Sequence, residues 1–231
     1  MVTAVVPKSV KEIVAAKTSD EIIVKTLEKT EVLAEEVDVM AIGCGLANDK
    51  ITHKFIRQTI ENQTTPMVLD AEALNALSPF DLQGSDEFPL ILTPHVGEMS
   101  RLVGREVLGD KIALVREFAE KHNVILILKG ERSLIAKPDG TVVINPTGNA
   151  GVSRAGAGDT LTGTITSFLA QTFAVKETNI ENAFEAVVAA LYIAGLAGDI
   201  AAEKHSERLL TATDVRQCLQ SAIASLGMRV E

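Results

Sequence analysis

Residues 90–128 read LILTPHVGEMSRLVGREVLGDKIALVREFAEKHNVILIL. Both ends, 90–93 and 124–128, are short apolar runs without alternation, the pattern of strands buried on both faces. Residues 110–122 between them have helical spacing and a plausible crossover length, so the stretch reads as a βαβ unit with parallel strands. Similar runs at 2–6, 37–42 and 67–69 extend the pattern, with a further crossover helix over 50–62. Ser9 with Glu12 predicts a capping box opening the first helix. The later runs 133–136 and 142–145 flank Lys137-Pro138-Asp139-Gly140, a turn signal that predicts an antiparallel hairpin. From Gly158 onward the chain reads as helical. Leu161, Ile165, Phe168 and Leu169 share one helical face, and Val215, Leu219 and Ile223 another, both read as core packing. The expected fold class is α/β with a mainly parallel central sheet, in a single domain over 1–231, with 83–87 as a loop.

Composition narrows the function classes. The chain has 231 residues, 46% of them hydrophobic, with Lys+Arg 22 against Asp+Glu 31 and a formal charge of −9. This is globular composition, which excludes disorder and fibrous repeats. The acidic balance argues against nucleic acid and anionic membranes as partners, while permitting a local cationic pocket for a phosphate. Cys44 and Cys218 have no CxxC or metal-like spacing, so neither a disulfide framework nor a zinc site is implied, and the cytoplasm is the expected compartment. The apolar stretch 186–198 is shorter than the roughly 20 residues that span a bilayer and reads as a buried helix. The first residues lack the basic and apolar regions of a secretory signal. An apolar strand begins almost at once, leaving nothing before Thr3 to form a preceding ligand loop.

Five segments could carry chemistry. Residues 145–159, NPTGNAGVSRAGAGD, lead into a helix expected from about Thr160. Gly156 and Gly158 permit backbone conformations that aim successive N–H groups at one point near a helix N-terminus, where a phosphate fits. Asp159 there would repel a phosphate, so its use would be to accept a proton from an attacking hydroxyl or to position it; the alternative is a plain helix N-cap. In 92–102, LTPHVGEMSRL, His95 and Glu98 lie at a strand end, where ligands of open α/β sheets bind, or else merely begin a helix. Lys129, followed by Gly130, Glu131, Arg132 and Ser133, could meet a phosphate as a point charge or form a solvated turn. Gly43-Cys44-Gly45 would let a ligand approach the main chain, although a lone GxG is weakly specific. Asp70, also at a strand end, is read as the cap of the helix that follows.

Taken in order, VMAIGCGL, MVLDAEALNAL, LILTPHVGEMSRL, ILKGERSLIAKPDGTVVINPTGN, RAGAGDTLTGTI and AGDIAAEK resemble the motifs of the NAD(P)HX dehydratase family, within the ribokinase-like superfamily. The resemblance runs from about Val2 to Ala222. It implies a three-layer α/β/α fold and repair of the S-form of hydrated NAD(P)H, with ADP or ATP as phosphoryl donor and Mg2+ beside the nucleotide. By motif match, Asp159 would be the catalytic base or positioning group. Gly156, Ala157 and Gly158 would form the anion hole and, with Lys129, Gly130, Glu131, Arg132 and Ser133, bind the nucleotide. Gly43, Gly45, His95, Gly97, Glu98 and Asp159 would contact the hydrated cofactor. The resemblance also implies a homo-oligomer, commonly a tetramer.

Several positions depart from the family pattern. AGAGD stands at 155–159 where GGSGD is usual, Val96 and Cys44 stand where proline is usual, and Ser133 replaces threonine. Family members also carry a strand and helix before the position of Thr3, with a glycine-rich loop at the substrate site. The expected sheet therefore lacks its N-terminal strand and helix, and part of the substrate pocket would come from another subunit or be absent. Two alternatives accompany the dehydratase: a ribokinase-like small-molecule kinase, which the AGAGD loop favours, and a non-catalytic nucleotide-binding remnant, which the abrupt start favours.

Overall fold

The computed structural model describes residues 1–27, 37–152 and 155–227. Ser153 and Arg154 of the glycine-rich segment lie outside the described residues, as do 28–36 within the span of the family resemblance. The chain divides into two compact units, Met1–Glu36 and Val37–Glu231.

In the first unit, β1 (Val2–Val6) pairs in parallel with β2 (Ile22–Thr26), joined through α1 (Lys11–Ala15). The expected capping box is absent. Ser9 lies inside a 3-10 turn, Lys8–Val10, and the N-cap position of α1 falls on Val10, which makes no side-chain capping bond. Pro7, with φ −56, leads into that turn, so the chain bends before Ser9 reaches a capping position.

The second unit holds a six-stranded sheet in the order β3 (Met40–Ile42), β4 (Met67–Leu69), β5 (Leu90–Leu92), β6 (Ile125–Leu128), β7 (Leu134–Ala136) and β8 (Val142–Ile144). The pairs from β3 to β6 are parallel. The β6–β7 and β7–β8 pairs are antiparallel, so the expected hairpin forms around Pro138 to Gly140.

Strand alternation gives the sheet two apolar faces. Leu69, Leu92 and Leu126 enter one buried cluster with residues of α2 (Lys50–Glu61), α4 (Val96–Val103) and α5 (Lys111–His122), including Ile56, Met99 and Phe118. Val68, Ile91 and Ile125 enter another with Ile165 and Leu169 of α6 (Ala157–Phe173) and Phe184 and Leu191 of α7 (Ile180–His205). This is a three-layer arrangement, because residues of opposite parity on one strand must reach different partners. A short helix, α3 (Glu72–Ala76), follows β4, and α8 (Ala212–Ser225) packs on α7 through Ile193, Ala197, Val215 and Cys218. By length and composition α7 could cross a membrane. It is longer than the 13-residue apolar stretch suggested, and it is buried as that reading expected, with Val187 and Ala190 in the cluster against the sheet and Ile193 and Ala197 in the cluster with α8.

Candidate active site

The parallel strands end side by side, and the loops leaving them bring the candidate residues together. After β3, Gly43 has φ +124, and a Cβ there would lie 1.8 Å from the Asp70 carbonyl oxygen. Only glycine fits. Gly45, at φ +72, has open space around the position of a Cβ.

After β4, Asp70 is 2% exposed. Its Oδ1 accepts a hydrogen bond from Lys129 Nζ at 2.7 Å, and its Oδ2 accepts one from Thr162 Oγ1 at 2.9 Å. The expectation that Asp70 caps α3 is therefore wrong: the cap position belongs to Ala71, which makes no side-chain capping bond. A buried carboxylate needs strong partners, and Asp70 finds an ammonium and a hydroxyl on distant elements.

After β5, His95 begins α4 as one half of a capping box. Its Nδ1 accepts from the Gly97 and Glu98 N–H groups at 2.9 and 3.2 Å, and Glu98 Oε2 accepts from the His95 N–H at 2.8 Å. In the neutral ring this leaves the proton on Nε2, on a side chain that is 55% exposed. His95 is thus a helix cap whose Nε2, 3.6 Å from Glu98 Oε1, stands on an exposed side chain within reach of a ligand. Glu98 is buried, and its Oε2 lies 3.8 Å from Lys129 Nζ. After β6, Lys129 is tied to the β5 loop by a hydrogen bond from its N–H to the Pro94 carbonyl. Its ammonium lies between the carboxylates of Asp70 and Glu98.

The glycine-rich loop closes the cluster. Gly156, at φ +82, is the N-cap of α6, which begins at Ala157 rather than Thr160. Asp159 lies in the first turn, so the plain N-cap alternative does not hold. A Cβ on Gly158 would lie 3.4 Å from Asp70 Oδ2 and 3.6 Å from Lys129 Nζ, which puts the N-terminus of α6 against this ion pair. Cys44, Asp70 and Asp159 offer ligand atoms within 4.8 Å of one another. Burial, and after it the charges of Asp70 and Asp159, push the Cys44 thiol up to about 12. It is not an activated nucleophile.

The remaining candidates have other neighbours. Arg132 Nη1 donates to the Pro146 carbonyl, and the Ser133 carbonyl accepts from the Asn145 N–H. Gly130 and Glu131 are exposed. Beyond them, Asn145 donates to the Leu191 carbonyl, while Asp199 accepts from the Gly148 N–H and the Asn149 amide, so the NPTGN segment is fastened to α7. Sequence reasoning missed Thr162 and the roles of Asp70 and Cys44. The strand-end position of Asp70 was the available signal.

Together the site offers N–H groups and a helix dipole at Gly156 to Gly158, one ammonium, two buried carboxylates and an exposed carboxylate, Asp159. This arrangement can hold phosphate groups beside a proton acceptor.

A family model described as NAD(P)H-hydrate dehydratase matches residues 1–221. A bifunctional NAD(P)H-hydrate repair enzyme of Moorella thermoacetica is 38% identical over 248 residues, covering 100% of this chain and 45% of that enzyme. The chain spans less than half the length of the first curated relatives it matches. Among solved structures, an ADP/ATP-dependent NAD(P)H-hydrate dehydratase from Bacillus subtilis, co-crystallized with ATP/Mg2+, has a TM-score of 0.78 at 27% identity, covering 93% of this chain and 76% of that one. A ribokinase-like superfamily protein from Enterococcus faecalis has a TM-score of 0.78 at 25% identity, covering 96% of this chain and 76% of that one. The fold is ribokinase-like.

Proposed function

Since the chain belongs to the NAD(P)H-hydrate dehydratase family, we propose that it uses ADP or ATP to dehydrate the S-form of NAD(P)HX back to NAD(P)H. The observation that carries this reading is the position of Asp159: an exposed carboxylate in the first turn of α6, beside Gly156 to Gly158 and within 4.8 Å of Asp70. The N-terminus of α6 receives the terminal phosphate of the nucleotide. Asp159 takes the proton from the ring hydroxyl of the hydrate as that oxygen attacks phosphorus, and the P–O bond to the nucleotide breaks. Hydroxide is a poor leaving group, whereas phosphate leaves readily. The electron pair of the ring nitrogen expels it, and loss of a proton from the neighbouring carbon restores the ring double bond. The protein contributes orientation and charge stabilisation.

Lys129, held between Asp70 and Glu98, is a positioned cation beside the phosphate region. His95 supplies its Nε2–H to the hydrated cofactor, with Gly43, Gly45, Gly97 and Glu98 shaping that side of the site. Gly130, Glu131, Arg132 and Ser133 line the nucleotide side. Of the grouped side chains, the exposed Asp159 carboxylate would suit a magnesium ion, which prefers hard oxygen donors together with substrate phosphates, whereas both Asp70 oxygens already accept hydrogen bonds and the Cys44 thiol is a soft donor. The ion would neutralise phosphate charge.

The same reading takes Met1–Glu36 and Val37–Glu231 as parts of one domain, supported by a family match that crosses both. It takes the protein as a cytoplasmic homo-oligomer that binds neither nucleic acid nor membrane. Free cysteines at 44 and 218 and the charge of −9 support the compartment and the partner classes.

The test is incubation of the protein with hydrated NADH or NADPH, Mg2+ and either ADP or ATP, following recovered NAD(P)H and released phosphate. Recovery of both, with turnover falling by about 10²–10⁴ in Asp159→Asn while nucleotide binding persists, is expected. Accumulation of a stable phosphorylated product would instead establish a kinase. Nucleotide binding without phosphate release would establish a binding protein.

A further inference from the structure

Next to the site lies a groove of about 670 Å³ lined by Asn48, His53, Asn75, Ser78, Pro79 and Arg101, within the usual size of small-ligand sites. One wall is a chain of polar contacts crossing three helices. His53 Nε2 of α2 lies 2.5 Å from Glu72 Oε1 of α3. Asn75 donates through Nδ2 to Glu72 Oε2 at 3.0 Å, which turns its amide oxygen outward. That oxygen accepts from Arg101 Nε of α4 at 2.8 Å. Glu72 is buried, so the chain is anchored in the fold.

The consequence falls on Arg101. Its guanidinium is oriented through Nε alone, and its two terminal nitrogens have no hydrogen-bond or ion-pair partner among the described residues. A fixed planar fork with free N–H groups matches phosphate oxygens better than carbonyls or sugar hydroxyls do. The fork also adjoins the site. The point a Cβ on Gly97 would occupy lies 3.9 Å from Arg101 Nη1 and 2.9 Å from His95 Cε1, so Gly97 separates the guanidinium from the imidazole. The loop after β3, which carries Gly43 and Gly45, contributes Asn48 to the same groove.

We infer that Arg101, oriented by Asn75, binds a phosphate in the half of the dinucleotide substrate remote from the reacting ring, either the adenosine-side phosphate of the bridging diphosphate, which the mononucleotide lacks, or a 2′-phosphate. This rests on the reading that the site takes NAD(P)HX. A dinucleotide whose ring lies near His95 and Asp159 must send its other half along the surface, and Arg101, which lines the groove, faces His95 across Gly97. The donor nucleotide has its own anion site at the N-terminus of α6, so Arg101 is a second, separate cation. In a chain of charge −9 such a cation has value as a local attractor for an anionic ligand.

The experiment compares wild type with Arg101→Gln and Asn75→Ala in two readouts. The first is equilibrium binding of the products NADH and NADPH, followed by nicotinamide fluorescence, which needs no turnover. The second is the KM for hydrated NADH, hydrated NADPH and hydrated reduced nicotinamide mononucleotide. Arg101→Gln is expected to weaken binding and raise KM for the dinucleotides by about 10- to 100-fold, the equivalent of one charged hydrogen-bonded contact. The KM for the mononucleotide, the KM for ADP and the kcat should change little. Asn75→Ala should shift the same constants less. An equal effect on NADH and NADPH identifies the bridging diphosphate, and an effect confined to NADPH identifies the 2′-phosphate. Unchanged dinucleotide binding in Arg101→Gln, or an equal loss with the mononucleotide, overturns the inference. Wild type that binds NADPH through Arg101 yet never dehydrates its hydrate overturns the proposed reaction and leaves the phosphate contact standing.

Discussion

Replacing Asp70 with asparagine keeps its shape and removes the charge that holds Lys129. Two unit charges 2.7 Å apart attract by about 6 kcal/mol at an effective dielectric of 20. Much of that is offset by the cost of taking both from water, since Asp70 and Lys129 side chains are 3% and 20% exposed. A net coupling of about 2 kcal/mol remains, within the range for hydrogen bonds to charged groups. Asp70→Asn alone should lower the unfolding free energy by about 3 kcal/mol, at the low end for a broken buried pair, because Glu98 still lies 3.8 Å from the ammonium. Lys129→Met alone should do similar damage, leaving the Asp70 charge with only Thr162. The double variant should then lose about 2 kcal/mol less than the two single losses added together. Urea unfolding of the four proteins measures this directly. A coupling under about 0.5 kcal/mol, the level of an exposed surface pair, would refute the argument that this ion pair anchors the centre of the site.

Three further outcomes follow from local geometry. Gly43→Ala should destabilise the fold by at least about 3 kcal/mol or prevent folding, because its Cβ would overlap the Asp70 carbonyl, whereas Gly45→Ala, left-handed but open, should cost about 1–2 kcal/mol; similar melting shifts for the two would contradict this. With its thiol near 12, Cys44 is ionised in roughly one molecule in ten thousand at pH 8, so alkylation should be slow, and Asp159→Asn should speed it severalfold by removing one of the charges that raise the thiol; an unchanged rate in that variant would separate the two residues. Burial, opposed by a hydrogen bond with the Leu82 carbonyl, holds His122 below its usual range. The unfolded chain therefore binds the extra proton between that lowered value and about 6.5, and stability should fall as pH drops through this window. His122→Gln should flatten that slope in denaturation measured across pH 5–7.

What could be read from the residues was whatever repeats locally. The strands β3 to β6 declare themselves through unbroken apolar runs, and the hairpin β7–β8 through Pro138-Asp139-Gly140. The strand β2 was missed because its exposure alternates along Ile22–Thr26, and a half-exposed strand of five residues has a weak signature. Ser9 with Glu12 looked like a cap because the pattern is local, yet Pro7 had already turned the chain. The start of α6 was set three residues late for a related reason: Gly156 caps it through a left-handed backbone and leaves no side-chain signature.

Asp70 shows where local reading stops. A strand-end aspartate before a helix has an obvious nearby use, as a cap, and nothing within a few residues argues otherwise. Its actual partners, Lys129 and Thr162, are 59 and 92 residues away in sequence. Those separations are crossed only once β4 pairs with β5, β5 with β6, and α6 packs on the sheet. The general rule that ligands meet open α/β sheets at the carboxyl ends of strands therefore located Gly43, Asp70, His95 and Lys129 one strand at a time, while their mutual contacts are a product of strand order. Because β3 to β6 are adjacent and parallel, consecutive strand ends in sequence become consecutive walls of one site. The same adjacency brings Asn75 and Arg101, each a few residues further along its own segment, to the groove beside it. A sequence in which the order of these strands was permuted would keep every motif and lose the site.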